Sequence, residues 1–516
     1  LPWNTSSVTD MSNMFNNAPL FNQDISGWST SNVIDMSNMF AGASSFNNNN
    51  QPFRLNTSTV QNMYGMFANA LSFNQDISGW STSNVTDMVN MFAGTSSFKQ
   101  NLSQWNVSSV LLADNIFCNS PKMLATPSYW PRFITNPMPV WGCSPDPMII
   151  NISTTPGNLI MNLPLRGITA ITVNWGDSIT QTFTTSPIAH TYGAAGKYQI
   201  AVTGYASTFG NDIPNTYIGA NLISSMTEWG TIGLTSLTGA FSLAINLVGV
   251  PSYIPASVTD VSGMFSGALQ FNQDISTWDT SNVTNMFGMF YGTSAFNQDI
   301  STWDVSHVRN MTGIFIGASS FNQPLNNWST SNVLSMNSMF NGASLFNQNI
   351  SSWNTSNVSS MSNMFLGASS FNQDISTWNV SSVRDMSYMF QNANVFNKNL
   401  SSWNTSNVTD MRLMFSGASS FNQPINNWNT SNVLSMNSMF NGATSFNQNI
   451  STWNTSSVID MAYMFQDATS FNQDLSPWNV SSVLYADFIF CGCPVFGQTA
   501  KYPNILPAPI WGCSNN

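Results

Sequence analysis

Tryptophan returns every 25 residues through the second half of this chain, at Trp278, Trp303, Trp328, Trp353, Trp378, Trp403, Trp428, Trp453 and Trp478. Valine follows each by five (Val283, Val308, Val333 and onward), methionine by eight in most copies, and phenylalanine by twelve (Phe290, Phe315, Phe340). A second phenylalanine stands seven before each Trp, from Phe271 to Phe471, so one unit reads F-N-Q-D-I-S-x-W-x-T-S-N-V-T-D-M-S-x-M-F-x-G-A-S-S. So regular a period leaves few folds open. One unit cannot bury its own aromatic and methionine side chains, but a stack of units builds a continuous core. The apolar pulses fit neither a long helix nor an alternating strand. The spacing predicts a short strand at V-T-D-M, another at F-N-Q-D-I, a helical or 3-10 turn at S-N-M-F-x-G-A, and Ser/Asn corners. Equivalent residues of successive coils then stack at about 4.8 Å, the spacing of paired strands.

The repeat also occupies the N-terminal segment. Trp3, Trp28 and Phe53 are 25 apart, a two-residue insertion near Arg54-Leu55 shifts the register to Trp80, and Trp105 follows. Upstream of residue 271 the second array continues in degenerate form. Trp229 has Leu234, Leu237 and Phe241 at the expected offsets, and Tyr253 takes the next Trp place, with Val258, Val261 and Phe265. About eleven coils, roughly 50 Å of rod at strand spacing, are expected there. Phe321–Phe346 nearly recurs at Phe421–Phe446, which marks duplication of four coils.

Charged residues are 6% of the chain, against about 25% in an average soluble protein, and hydrophobic residues are 42%. Stacking accounts for this, because a charge at one place in every coil would repel its copies. The place of Asp274 and Asp299 becomes Pro324, Asn349, Asp374, Asn399, Pro424, Asn449 and Asp474. An asparagine ladder is expected at this position, since amides hydrogen-bond their copies above and below. A net charge of −11 argues against a nucleic-acid partner and against an anionic membrane surface. No run reaches the ~18 apolar residues of a membrane span, so no direct membrane insertion is expected. The chain opens at Leu1 without an initiating Met or signal peptide, as expected of a processed chain or a piece of a longer one.

Both arrays end alike. WNVSSVLLADNIFC (105–118) matches WNVSSVLYADFIFC (478–491), and each runs through a Pro-rich stretch to W-G-C-S, at Trp141–Ser144 and Trp511–Ser514. Matching cysteines in matching segments predict Cys118–Cys143 and Cys491–Cys513 disulfides, end caps and an oxidising compartment. Cys493 aligns with Ser120 and is the odd thiol, or pairs with Cys513 in place of Cys491. A zinc site is the rival reading, but it lacks neighbouring histidines. Residues 146–208 break the repeat and alternate as antiparallel strands do, at NLIMNLPL, ITAITVNW, QTFTTS and YQIAVTG.

The repeat unit resembles the BspA-like leucine-rich repeat surface proteins, in the form common in mycoplasma lipoproteins, over some three-quarters of the chain. The middle segment resembles a PKD domain, an immunoglobulin-like extracellular sandwich, through Trp175-Gly176-Asp177 and His190-Thr191-Tyr192. The resemblance implies cell-surface or fibre roles and supplies no catalytic residue. Such surface proteins usually carry an anchor or sorting signal, and none is visible. The expected fold class is mostly β. Two leucine-rich-repeat-like solenoids of 25-residue coils flank an immunoglobulin-like β-sandwich. The expected segments are a first solenoid at 1–117, a disulfide cap at 118–145, the sandwich at 146–208, a second solenoid at 209–490 and a second cap at 491–516.

Asp177 and His190 suggest an acid–base or metal pair, weighed against a turn carboxylate and a strand histidine. Asp24, Asp35, Asp76, Asp87, Asp274, Asp299, Asp374, Asp410 and Asp474 suggest a calcium ladder, but calcium wants six or more oxygens and corner-capping is favoured. The Trp ladder reads as core before it reads as a carbohydrate stripe. Sequons at Asn4, Asn84, Asn106, Asn282, Asn354, Asn357, Asn404, Asn407, Asn429, Asn454 and Asn479 are candidate glycosylation sites. The rival reading is that Asn/Ser-rich composition makes sequons by chance. No catalytic motif, phosphate loop, metal set or cofactor motif is present, so no enzyme is expected. The expected role is a structural component of an extracellular fibre, filament or layer, self-associating end to end or with other surface proteins. The array lacks an N-terminal cap, which suggests modules continuing beyond both ends or a coil open to another subunit. The alternative is an adhesin that binds a cell-surface ligand or glycan through the coil face.

Overall fold

The computed structural model describes residues 3–113, 115–124, 126–131, 147–168, 170–211, 217–495 and 503, in two compact units, Leu1–Asp146 and Pro147–Asn516. Within each unit the coils meet through one parallel β-bridge per coil. In the first unit the bridges run Asp10, Asp35, Asn62, Asp87, Leu112. In the second they run from Asp260 through Asn285, Asn310 and Ser335 to Tyr485. The expected strands do not form. V-T-D-M contributes its single bridging residue, F-N-Q-D-I is irregular, and S-N-M-F-x-G-A is a run of turns with no 3-10 helix. Each coil is a chain of tight turns: Trp353 N–H donates to Ile350 O, Val358 to Thr355 O, Ala368 to Phe365 O and Phe371 to Ala368 O. With a corner every few residues, no segment runs straight long enough to become a strand.

The apolar pulses do fill the core as expected. Phe365 and Phe371 stack at 3.9 Å within one coil, Phe340 and Phe365 at 5.6 Å between coils, and Trp353 and Trp378 at 6.3 Å. From Trp278 to Trp478 each Trp indole N–H reaches a carbonyl of the coil before, as Trp353 Nε1 does to Leu325 O at 2.9 Å. The inserted residues of the first unit lie upstream of the expected place, in a 3-10 turn at Asn48–Asn50. Leu55, not Phe53, then sits in the Trp place, since Thr57 donates to Ser81 O as Thr82 does to Asn106 O. Phe53 packs edge-on against Phe40, Phe46, Phe67 and Phe73. The irregular coil leaves Trp80 Nε1 buried without a partner.

Among its described residues the second unit opens with nine strands: β1 (Met148–Ser153), β2 (Ile160–Leu163), β3 (Leu165–Arg166), β4 (Ile171–Asn174), β5 (Thr180–Phe183), β6 (Ile188–Thr191), β7 (Lys197–Gly204), β8 (Thr208–Phe209) and β9 (Ile223–Glu228). They form an antiparallel sheet in the order β5-β4-β7-β1-β9, with β2-β6 and β3-β8 as separate pairs. β1 buries alternate residues, as a half-covered strand does. The boundary expected at 208 is overturned. β9 pairs with β1 on one side, while its Ser225 bridges Gly249 of the coils in parallel on the other. Thr208 likewise bridges Ser236. One core runs from Met148 to Val495, so the sheets and the coils of this unit are continuous. Coils need a sealed end, and the sheet supplies it. The place given to Tyr253 belongs to Ile254. Trp278 Nε1 donates to Pro251 O, three before Ile254, and Ile254 is buried where Tyr253 is exposed.

Candidate functional surface

The nine aspartates proposed for a calcium ladder all do local work. Each carboxylate accepts the N–H two residues on: Ser26, Ser37, Ser78, Val89, Ser276, Ser301, Ser376, Arg412 and Ser476. The Ser276 N–H and hydroxyl hold Asp274 below its ordinary pKa. These are Asx turns. Among the described residues no three His, Cys, Asp or Glu side chains gather to hold a metal ion, and no helix is long and apolar enough to cross a membrane. The expected asparagine ladder is displaced. Asn349 and Asn399 cap their own corners, and the ladder stands two residues earlier. There, Asn297 N–H donates to Asn272 Oδ1, Asn322 to Asn297, Asn347 to Asn322 and Asn372 to Asn347, all at 2.9 Å. The glutamine beside each adds a second bond, as Gln298 Nε2 does to Asn272 O at 3.0 Å.

The candidate glycosylation sites fall into two groups. Asn84, Asn282, Asn357 and Asn407 donate Nδ2 to a backbone carbonyl of the coil before. Among the described residues, Asn4, Asn106, Asn354, Asn404, Asn429, Asn454 and Asn479 bond through Oδ1 alone, which accepts the N–H of the serine two residues on. The Trp ladder is core, with Trp353, Trp378 and Trp428 each 3% exposed.

In the sheet, His190 Nε2 and Asp177 Oδ2 meet at 2.7 Å. The imidazole lies flat on Trp175, ring centroids 4.9 Å apart, and edge-on to Tyr192, whose hydroxyl donates to Trp175 O. Burial pushes the Asp177 carboxyl up. The hydrogen bond and charge of His190, with the Ile179 N–H, outweigh it and hold the group below its usual value. The pair fastens the W-G-D turn to β6 and supports the structural reading.

Two features were not singled out in the sequence. Leu111 and Leu112 in the last described coil of the first unit are 79% and 54% exposed, and their counterparts Leu484 and Tyr485 are 76% and 59% exposed. In the first unit a groove of about 520 Å³ runs across coils, lined by Ile34, Asp35, Asn62, Asp87, Leu111 and Leu112 among others. The second feature is one coil position that always takes a left-handed backbone. Asn38, Asn90, Gly288, Gly313, Asn363 and their copies fill it comfortably. Later coils place Tyr388, Leu413, Tyr463 and Phe488 there, at φ of 53–61°, a conformation that bulky side chains disfavour. Tyr463 and Phe488 stack at 5.4 Å. Exposure of individual apolar positions was the missing signal, because it depends on which corner each residue occupies.

Cys118 and Cys491 are disulfide-bonded. Cys143, Cys513 and both W-G-C-S segments lie outside the described residues. Cys493 is a free, buried thiol. It points to Phe471 O at 3.1 Å, and burial pushes its pKa up to about 11. The alternative in which Cys493 displaces Cys491 is therefore overturned.

Residues 1–56, 50–130, 235–343, 317–425 and 396–502 match the family described as "Mycoplasma protein of unknown function, DUF285". The chain belongs to DUF285. The matches to this family span both runs of coils and pass over the sheet, so DUF285 names the coil, and the strands of residues 148–228 are a separate element within the DUF285 chain. No curated protein matches the chain. Among solved structures it is similar to a leucine-rich repeat protein from Bacteroides ovatus, at 12% identity over 56% of this chain and 88% of that one, with a TM-score of 0.31. A chain of the TLR13-ssRNA13 complex is similar at 10% identity over 92% of this chain and 64% of that one, with a TM-score of 0.17.

Proposed function

We propose that this DUF285 protein is a non-catalytic extracellular structural protein, a length-setting part of a surface fibre, filament or layer. The observation that carries the reading is the unbroken bridge ladder from Asp260 to Tyr485. Coil after coil spends the same side chains on the same core and the same corner bonds, so added coils change reach and not chemistry. Two leucine-rich-repeat-like solenoids of the BspA type, with a PKD-like immunoglobulin sandwich between them, are the finer form of this reading. Its support is the W-G-D turn held by His190 and the antiparallel sheet around Trp175. Bonded Cys118 and Cys491 suit an oxidising compartment. In this reading their partners are Cys143 and Cys513, and the protein associates end to end or with other surface proteins.

A second reading, an adhesin, draws on the apolar pairs Leu111-Leu112 and Leu484-Tyr485, which two separate arrays expose at the same place. Solvent-facing apolar pairs that recur are a mark of an interaction surface. Electron microscopy of the native assembly separates the two. Periodic filaments with end-to-end contacts are expected. Isolated molecules that bind cells or a glycan array, and lose binding in Leu111→Ser/Leu484→Ser, overturn the structural role in favour of adhesion.

A further inference from the structure

The eleven candidate sequons divide by what their amide nitrogen does. At Asn84, Asn282, Asn357 and Asn407 the nitrogen is part of the fold, bonded to the preceding coil at 2.7–3.0 Å. Asn332 and Asn432 make the same bond with no sequon, to Ser306 O and Ser406 O. Stacking alone therefore accounts for asparagine at this place. At the residue after each Trp the chemistry differs. The corner needs only an acceptor oxygen, and Asp279 and Asp304 supply it equally well to Ser281 and Ser306. From residue 354 onward this place is asparagine in every coil: Asn354, Asn379, Asn404, Asn429, Asn454 and Asn479, each followed by Thr or Val and then Ser. All six are exposed. They form a row along one corner of the stack, each beside a tryptophan whose ring centroid lies 6.3 Å from that of the next coil (Trp353–Trp378, Trp428–Trp453).

We infer that this row, and not the sequons whose amide nitrogen bonds the preceding coil, carries N-linked oligosaccharide. The inference rests on the extracellular reading above. The co-reactant is an oligosaccharide joined to a lipid through pyrophosphate. The asparagine Nδ2 attacks the anomeric carbon and the N–C bond forms. The C–O bond to pyrophosphate breaks, the lipid pyrophosphate leaves with the electron pair, and a base of the transferase takes one amide proton. The sugar then projects from a corner whose fold uses only Oδ1, so no stacking bond is lost. An oligosaccharide is wider than the step from one coil to the next, about 4.8 Å at strand spacing, so neighbours exclude each other and about every second site fills. Glycans on this corner hydrate the surface of a chain with 6% charged residues, and they leave the remaining faces of the coil free to meet other molecules.

Glycopeptide mapping of the protein from its native source, with disulfide mapping of the same sample, tests this. The expected result is hexosamine-bearing glycan on alternate members of the row and bare Asn282, Asn357 and Asn407. Replacing an occupied member by Asp, for instance Asn404→Asp, removes one glycan mass and leaves the thermal midpoint unchanged, because Asp279 shows that a carboxylate caps the corner. Asn407→Asp instead lowers the midpoint and leaves the glycan mass unchanged. A bare row with Cys118 and Cys491 still bonded overturns this inference alone. A bare row with both thiols free overturns the extracellular reading with it. Equal occupancy of the two classes also overturns the inference.

Discussion

Thr405 is fully buried, and its hydroxyl donates to Asn429 O at 2.9 Å across to the next coil. Thr330, Thr355, Thr430 and Thr455 repeat the bond. Thr405→Val keeps the shape and leaves the carbonyl unpaired, which costs about 1–3 kcal/mol. The check is the shift in urea midpoint against wild type. The left-handed position offers the opposite sign. Ser338 stands there at φ 56° while the next coil has Asn363. Ser338→Asn relieves part of the backbone penalty and gains about 0.5–1 kcal/mol, read in the same titration. Asp177 belongs to this scale too. Its folded pKa lies below the ordinary 3.8, so its contribution is fully present above that value and is lost as pH falls through the lower one. The difference in thermal midpoint between wild type and Asp177→Asn is expected to narrow as pH falls below about 4.

At the scale of elements, β9 joins two kinds of structure. It pairs with β1 across the antiparallel sheet and touches the coils through Ser225, and Trp229 just beyond it is completely buried with its indole N–H on Tyr253 O. Trp229→Ala is expected to cost about 3–5 kcal/mol and to loosen both sides at once. Hydrogen exchange would show faster amides in β1 and β9 together with the coils of Leu237 and Val261. Protection lost on one side only would mean that the two parts fold independently. The thiol of Cys493 makes a second element-scale prediction. Buried and pushed up to about 11, it is expected to resist a thiol reagent at pH 8 and to react only on unfolding.

Across the whole molecule, periodicity was legible and its consequences only partly so. Phe, Trp, Val and Met at fixed offsets announced the core, because a side chain that recurs in every coil meets its own copies, and from Trp28 to Trp105 and from Trp278 to Trp478 every such position is buried. The corner aspartates were legible because an Asx turn is decided within three residues. Strands were misread, because V-T-D-M resembles a strand locally while the corners on either side keep it from running on. The asparagine ladder was placed two residues late, because several positions carry Asn and only the direction of the side chain tells which one faces its neighbour. Tyr253 and Phe53 were misplaced where a coil lost or gained residues, since counting by 25 cannot say where the slack is taken up.

The sequence by itself determined the period, the residues that fill the core, the corner turns and the antiparallel character of the middle segment. All of these depend on neighbours within one coil or one coil away, and such neighbours leave a repeating mark. Tertiary structure alone decided that β9 returns to pair with β1, with Asn151 opposite Ser225. It decided that sheet and coils share one core, that Cys491 and not Cys493 is bonded, and which sequons keep a free amide nitrogen. These contacts join single, non-repeating partners far apart in the chain, or depend on which way one amide turns, and neither leaves a period to read.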